Sequence, residues 1–367
     1  MKTTLVLLAV VAAVFANVVQ VPMRKSESLR HKLIRWCKLS LNLWKKGEVR
    51  RYLCDFVQAT ASQPFIDYFD DFYLGDIGVG TPYQNFTIVL DTGSSNLWLI
   101  SSTCTSAACK GDSDYKKHQY NTAKSSTYEA TTQKFSISYG SGSCSGTIGY
   151  DKLNLAGLVY AKQGLGVSTT IASNLLPQLT KQLFTVWLDR HPTPEENKLG
   201  GLITYGATDT KNCDTTITYV KLTAKTYWQF NINGFSTGTY KSTATQSAIS
   251  DTGTSWIAAP TAAVNGIVAA TKAKWSAVEQ VYVLPCKGTY PDWDFTINGK
   301  VYAVPSTEYV IDLSLGGGNC ALTLMSMSGG GLSPQWILGD TWIRTYCQVY
   351  DVGNAQIGFA TAKHSAI

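Results

Sequence analysis

Two short segments carry the residues most able to do chemistry: Asp91-Thr92-Gly93 followed by Ser94-Ser95, and Asp251-Thr252-Gly253 followed by Thr254-Ser255. Each follows an apolar, strand-like run, Phe86-Thr87-Ile88-Val89-Leu90 in one case and Ala248-Ile249-Ser250 in the other, and each precedes a hydrophobic segment. Glycine in such a turn lets backbone amides approach the carboxylate. Two such loops facing each other would bring two carboxyl groups to one water. Like charges that close do not both ionise cheaply, so one proton is shared, one group serves as base and the other as acid. A single copy reads as an ordinary surface turn, since Asp, Thr and Gly are turn residues. Two copies in matching context point to a paired site.

The elements that must position this pair read mostly as strands. Thr, Val, Tyr and Ile runs are broken by Gly and Asn. A chain of 367 residues with 44% hydrophobic content is long enough for two lobes with a large core. An all-β pair of lobes is the expectation.

Residues 1–16 read as a secretory signal peptide: Lys2 near the start, an apolar run from Leu5, and small residues at the end of Val14-Phe15-Ala16. No later run approaches the roughly 18 apolar residues of a membrane span, so a soluble product in a lumen or outside the cell is expected. The formal net charge of +6 is unevenly placed. From Asn17 to Thr60 there are ten Lys or Arg against three acids, Glu27, Glu48 and Asp55, whereas residues 61–367 are net negative. Behind a signal peptide, nucleic acid and anionic lipid are poor partners for this basic stretch.

Beyond the twin turns, the chain contains Asn96-Leu97-Trp98 after the first, Ser138-Tyr139-Gly140-Ser141-Gly142, and Trp336-Ile337-Leu338-Gly339-Asp340 near the end. In these motifs and their order it resembles the pepsin-like aspartic proteases, the family of cathepsin D, and in detail its nematode members, over most of residues 66–367. The resemblance implies a mainly all-β, bilobal pepsin-like fold: two pseudo-symmetric barrel-like lobes flank a cleft, with few short helices. It places an N-terminal lobe at 66–205 and a C-terminal lobe at 206–367. It implies an aspartic endopeptidase of acidic lumens, lysosome or gut, made as a secreted zymogen, acting on polypeptides between bulky apolar residues. Residues 17–65 then form a basic propeptide, an intramolecular inhibitor. Its cations would pair with carboxylates at neutral pH, and acid would release them. No nucleic acid, membrane, cofactor or metal is implied, and a monomer is expected.

The same resemblance assigns roles. Asp91 and Asp251 are the catalytic pair; Ser94 and Thr254 bond their outer oxygens; Thr92 and Thr252 cross-link the loops or simply favour the turn; Gly93 and Gly253 give backbone access. Tyr139, Gly140 and Ser141 form a flap over bound peptide, and the Trp98 indole N–H bonds the flap Tyr139. A zinc site is disfavoured because Cys-x-x-Cys is absent and His31, His118, His191 and His364 are not clustered.

Nine cysteines in an exported chain suggest disulfides. By resemblance, Cys104 pairs with Cys109 and Cys286 with Cys320. Cys144 and Cys213 are candidates for a third bridge, and Cys37 and Cys54 fall in the propeptide. Cys347 is then odd, and its strand-like surroundings suggest a buried free thiol. Asn85-Phe86-Thr87 is a glycosylation sequon, usable if Asn85 faces solvent.

One departure matters. The resemblance implies that in the second lobe Ile337-Leu338-Gly339 supports the Asp251 loop from behind and that the first lobe carries its twin, but this chain has no such twin. After Gly164 to Ser173 the chain passes straight to Asn174-Leu175-Leu176-Pro177-Gln178, which resembles a helix lying beyond the absent stretch. Loss of that support would cost the Asp91 loop apolar and hydrogen-bond partners. The alternative reading is therefore a catalytically inactive protein that keeps the cleft to bind peptides.

Overall fold

The computed structural model describes residues 19–26, 72–110, 116–139, 142–166, 174–190, 198–327 and 334–364. Alternating sequences make its strands. In Trp293–Ile297, Trp293, Phe295 and Ile297 are buried while Asp294 and Thr296 are half-exposed. This strand pairs antiparallel with Lys300–Val304 across Asn298-Gly299, both at positive φ (49° and 79°), the backbone twist that suits a tight hairpin. Helices are short, the longest described being Thr261–Thr271.

A sheet joins the two halves of the chain. Its middle is the antiparallel pair Leu183–Leu188 and Tyr346–Asp351, flanked by Lys198–Tyr205 on one side and Gln356–Thr361 on the other. Outside these lie Val19–Ser26 and Thr218–Lys221, so each half contributes three strands about a pseudo-dyad. Leu183–Leu188 is buried at every position, as expected of a strand covered on both faces. Val19–Ser26 comes from the basic N-terminal segment and pairs with both Lys198–Tyr205 and Phe72–Val79.

In the first half, Phe72–Val79 carries Gln84–Val89 on one edge and leads through Gly142–Leu155 to a hairpin with Glu129–Tyr139. The second half adds a five-stranded sheet and two four-stranded sheets. They enclose an aromatic core in which Phe295 lies within 5.5 Å, centroid to centroid, of Phe235, Trp336 and Trp342. This is the all-β, bilobal architecture that the resemblance implies. No helix among the described residues is long and apolar enough to cross a membrane.

Cys104 is bonded to Cys109 and Cys286 to Cys320. The third bridge corrects the sequence reading: Cys213 is bonded to Cys347, so Cys347 is not free, and Cys144 is the free thiol among the described residues. Register explains it. Cys347 lies opposite Ala360 on the Gln356–Thr361 strand, and Cys213 bridges to Ala362 just beyond that strand, which brings the two Cα atoms to 6.0 Å. Cys144 sits opposite Ile137 in the hairpin of the other lobe. Cys37 and Cys54 lie outside the described residues.

Candidate active site

Each Asp-Thr-Gly turn builds the same local cradle. The Gly93 amide donates to Asp91 Oδ1 (2.7 Å) and the Ser94 hydroxyl to Asp91 Oδ2 (2.5 Å). In the twin, the Gly253 amide donates to Asp251 Oδ1 (2.8 Å) and the Thr254 hydroxyl to Asp251 Oδ2 (2.7 Å). Every oxygen thus receives one bond that favours its charged form.

The loops also clasp each other. The Thr92 amide donates to Thr252 Oγ1 and the Thr252 amide to Thr92 Oγ1, both at 3.0 Å. Each hydroxyl then donates across to the residue before the opposite Asp: Thr92 to the Ser250 carbonyl (3.2 Å) and Thr252 to the Leu90 carbonyl (2.5 Å). Those two carbonyls escape sequence reasoning because backbone acceptors leave no mark in residue type.

The carboxyl groups meet across this clasp. A methyl group placed on Gly93 would lie 2.4 Å from Asp251 Oδ1, and one on Gly253 would lie 2.4 Å from Asp91 Oδ1. Only glycine lets each turn pass so close to the opposite carboxyl. Asp251 is buried, and burial first and the Asp91 charge second raise its pKa well above the ordinary 3.8, with Asp91 also hydrogen-bonded to it. The pair therefore retains a proton at a pH where an isolated aspartate has lost it.

Behind the pair the lobes differ. The Gln246–Ser250 strand is flanked by Gln229–Ile232 and by Trp336–Leu338, which runs parallel to it and antiparallel to Ile257–Pro260. The Asp251 amide donates to the Leu338 carbonyl (3.1 Å), and Gly339 passes so near that an added methyl would sit 1.9 Å from the Thr254 carbonyl oxygen. The twin strand Gln84–Val89 pairs, among the described residues, with Phe72–Val79 alone. Leu97–Ile100 joins no ladder, and the Asp91 amide makes no hydrogen bond among the described residues. Accordingly Asp251, Thr252 and Ser255 are buried, whereas their twins Asp91 and Thr92 are half-buried and Ser95 is exposed; Gly93, Ser94, Gly253 and Thr254 are half-buried alike.

Tyr139 closes its hairpin in register with Gly142. Its side chain, with Gly140 and Ser141, lies outside the described residues, as does the expected Trp98–Tyr139 contact. The remaining resource is polar and buried beneath the pair: Ser250, Gln348 and Tyr350, each 0% exposed. The sequence signal for it is Ser250 standing where the first copy has Leu90.

Comparison with known proteins agrees with this geometry. A profile described as eukaryotic aspartyl protease matches residues 72–178 and 168–362, two stretches that overlap at 168–178. The chain is 50% identical to aspartic protease 1 of Caenorhabditis elegans, over 99% of this chain and 100% of that protein, and 42% identical to aspartic protease 17 of the same organism, over 95% and 96%. It is 33% identical to pepsin A of Bos taurus, over 94% and 99%. The alignment with aspartic protease 1 runs over 398 positions, more than the 367 residues here, so that relative has residues opposite gaps in this chain. Twin carboxyl cradles, a shared clasp and matches along nearly the whole chain lead to one conclusion: it belongs to the eukaryotic aspartyl protease family and is an aspartic-type endopeptidase.

Proposed function

We propose that this chain hydrolyses polypeptides at acidic pH through Asp91 and Asp251, and that it is made as a secreted zymogen. The raised Asp251 holds the shared proton and Asp91 is the base. A water between them gives a proton to Asp91 while its oxygen attacks the peptide carbonyl carbon, and Asp251 protonates the carbonyl oxygen. Collapse of the tetrahedral diol breaks the C–N bond, and the pair returns a proton to the leaving amine. Ser94 and Thr254 hold the outer oxygens, Thr92 and Thr252 fix the loops, and Tyr139 with Gly140 and Ser141 closes over the peptide. Trp98 supports that flap.

The observation that carries this reading is the mutual approach of the two cradles, each glycine against the opposite carboxyl. That approach stands with no strand behind the Asp91 loop among the described residues, because the clasp runs through Thr92 and Thr252. The signal at 1–16, the basic residues 17–65, a monomeric state and delivery to an acidic lumen complete the proposal.

The test is turnover. Full-length protein, acidified and then assayed on a peptide between about pH 3 and about pH 5, should cleave it, and a statine-type transition-state mimic should block cleavage. Absence of turnover at every pH tried would refute the reading. Acidification should also shorten the chain by removing the basic segment; equal processing at about pH 4 and about pH 7 would remove the zymogen part.

A further inference from the structure

Three fully buried polar side chains sit under the carboxyl pair without touching its reacting oxygens. Hydrogen counting orders them. The Ser250 hydroxyl donates to Gln348 Oε1 (3.2 Å), so its contact with the Tyr350 hydroxyl (2.9 Å) has Tyr350 as donor. The Trp342 indole donates to the same Gln348 oxygen (3.3 Å), and Gln348 Nε2 donates to the Tyr346 carbonyl (2.5 Å). The Tyr350 ring is itself fixed, stacked on Phe184 at 4.6 Å and met edge-on by Trp228 at 4.9 Å.

Such a cluster costs desolvation that an apolar contact would avoid, and the first copy of the turn does avoid it, with Leu90 in the place of Ser250. What the cluster adds is direction. It ties the residue before Asp251 to the Tyr346–Asp351 strand, the middle of the inter-lobe sheet. The Ser250 carbonyl also receives the Thr92 hydroxyl, and the Asp91 loop has no backing strand of its own among the described residues. Its position is therefore referred to the other lobe.

We propose that Tyr350, acting through Ser250 and Gln348, is a positioning residue for the carboxyl pair, and that it supplies from below part of the support that, among the described residues, the Asp91 loop lacks from behind. This rests on the endopeptidase reading, but one of its tests does not need turnover.

The experiment compares Tyr350→Phe with Tyr346→Phe in the full chain after acid activation. Tyr346 lies on the same strand and donates to the Ala303 carbonyl (2.8 Å), away from the clasp. Tyr350→Phe should lower kcat about tenfold with KM unchanged, while Tyr346→Phe at a similar loss of Tm should not. Amide hydrogen exchange at Thr92 should quicken in Tyr350→Phe alone. Replacing both partners, Ser250→Ala with Tyr350→Phe, should recover Tm without recovering kcat or slowing that exchange. Equal kcat in the two Tyr→Phe variants with unchanged Thr92 exchange would overturn the proposal. Should the unaltered protein turn nothing over, the endopeptidase reading fails, and Thr92 exchange still decides this one.

Discussion

Gly93→Ala puts the closest contact in the site to the test. Its methyl carbon would lie 2.4 Å from Asp251 Oδ1, 2.5 Å from Cγ and 2.6 Å from Oδ2, against 3.4–4 Å for an ordinary contact. Something must therefore move by about 1 Å, and a misplacement of that size at a reacting centre costs roughly 10²-fold in rate. Asp251 does not swing aside freely, because the Gly253 amide and the Thr254 hydroxyl hold both of its oxygens. The Asp91 loop is the side with fewer backbone partners, so the displacement should fall there and carry Asp91 with it. The assay is kcat and KM on a peptide at acidic pH beside a melting curve. The expected result is a fall in kcat of about two orders of magnitude in a protein that still melts cooperatively. A Gly93→Ala protein with kcat within about threefold of the original would refute the reasoning, because the two turns would then not press on one another as described.

Asp251 sets a sign for pH. Its folded pKa is raised above the ordinary 3.8, so between that value and the raised one the folded protein holds a proton the unfolded chain has released. Stability from this group is thus present at low pH and lost as pH rises through the window; melting curves from about pH 4 upward should show it, and Asp251→Asn should flatten the slope. The Cys213–Cys347 bridge spans 134 residues, so Cys213→Ser should destabilise by about 3 to 5 kcal/mol, and a non-reducing peptide map should recover the cross-linked pair. A map joining Cys144 to Cys213 instead would contradict the register. Asn85 is exposed and faces Gly78 across its ladder, leaving room for a glycan. If the chain is exported, glycosidase treatment should lower its mass, and Asn85→Gln should abolish that shift.

The mutual approach of the twin turns was legible because an acid, a hydroxyl and a glycine recur at fixed spacing, twice. The strand content was legible for a similar reason, since alternation as in Trp293–Ile297 is written in the side chains. Cysteine pairing was not, because it depends on register between distant strands. Nothing near Cys347 in the sequence points to Cys213, and only the ladder with Gln356–Thr361 brings them together. The Ser250–Gln348–Tyr350 cluster was half-legible. A serine before the second Asp stands out against Leu90, but its partners lie about a hundred residues away on a strand whose place is set by the fold.

The asymmetry between the lobes shows how these levels connect. A duplicated turn would be expected to have duplicated support, and in the second lobe the support is complete: a parallel strand behind the acid, a carbonyl for its amide, and Gly339 pressed against the Thr254 carbonyl. In the first lobe, among the described residues, the hydrogen bonds at the acid's turn are those the turn makes within itself and those it makes across the clasp. Local bonds orient the Asp91 carboxyl within its loop but say nothing of where it lies relative to the opposite acid; the clasp does that. Thr92→Val and Thr252→Val are therefore unequal changes. Both remove a hydroxyl that accepts one bond across the clasp and donates another, but Thr92→Val leaves its unpaired groups, the Thr252 amide and the Ser250 carbonyl, on the loop that has a parallel strand behind it. Thr252→Val leaves the Thr92 amide and the Leu90 carbonyl unpaired, both on the less supported Asp91 loop. With its unpaired groups on the loop that shifts more easily, kcat should fall further in Thr252→Val. The reverse order would mean that the Asp91 loop is held by something other than the clasp.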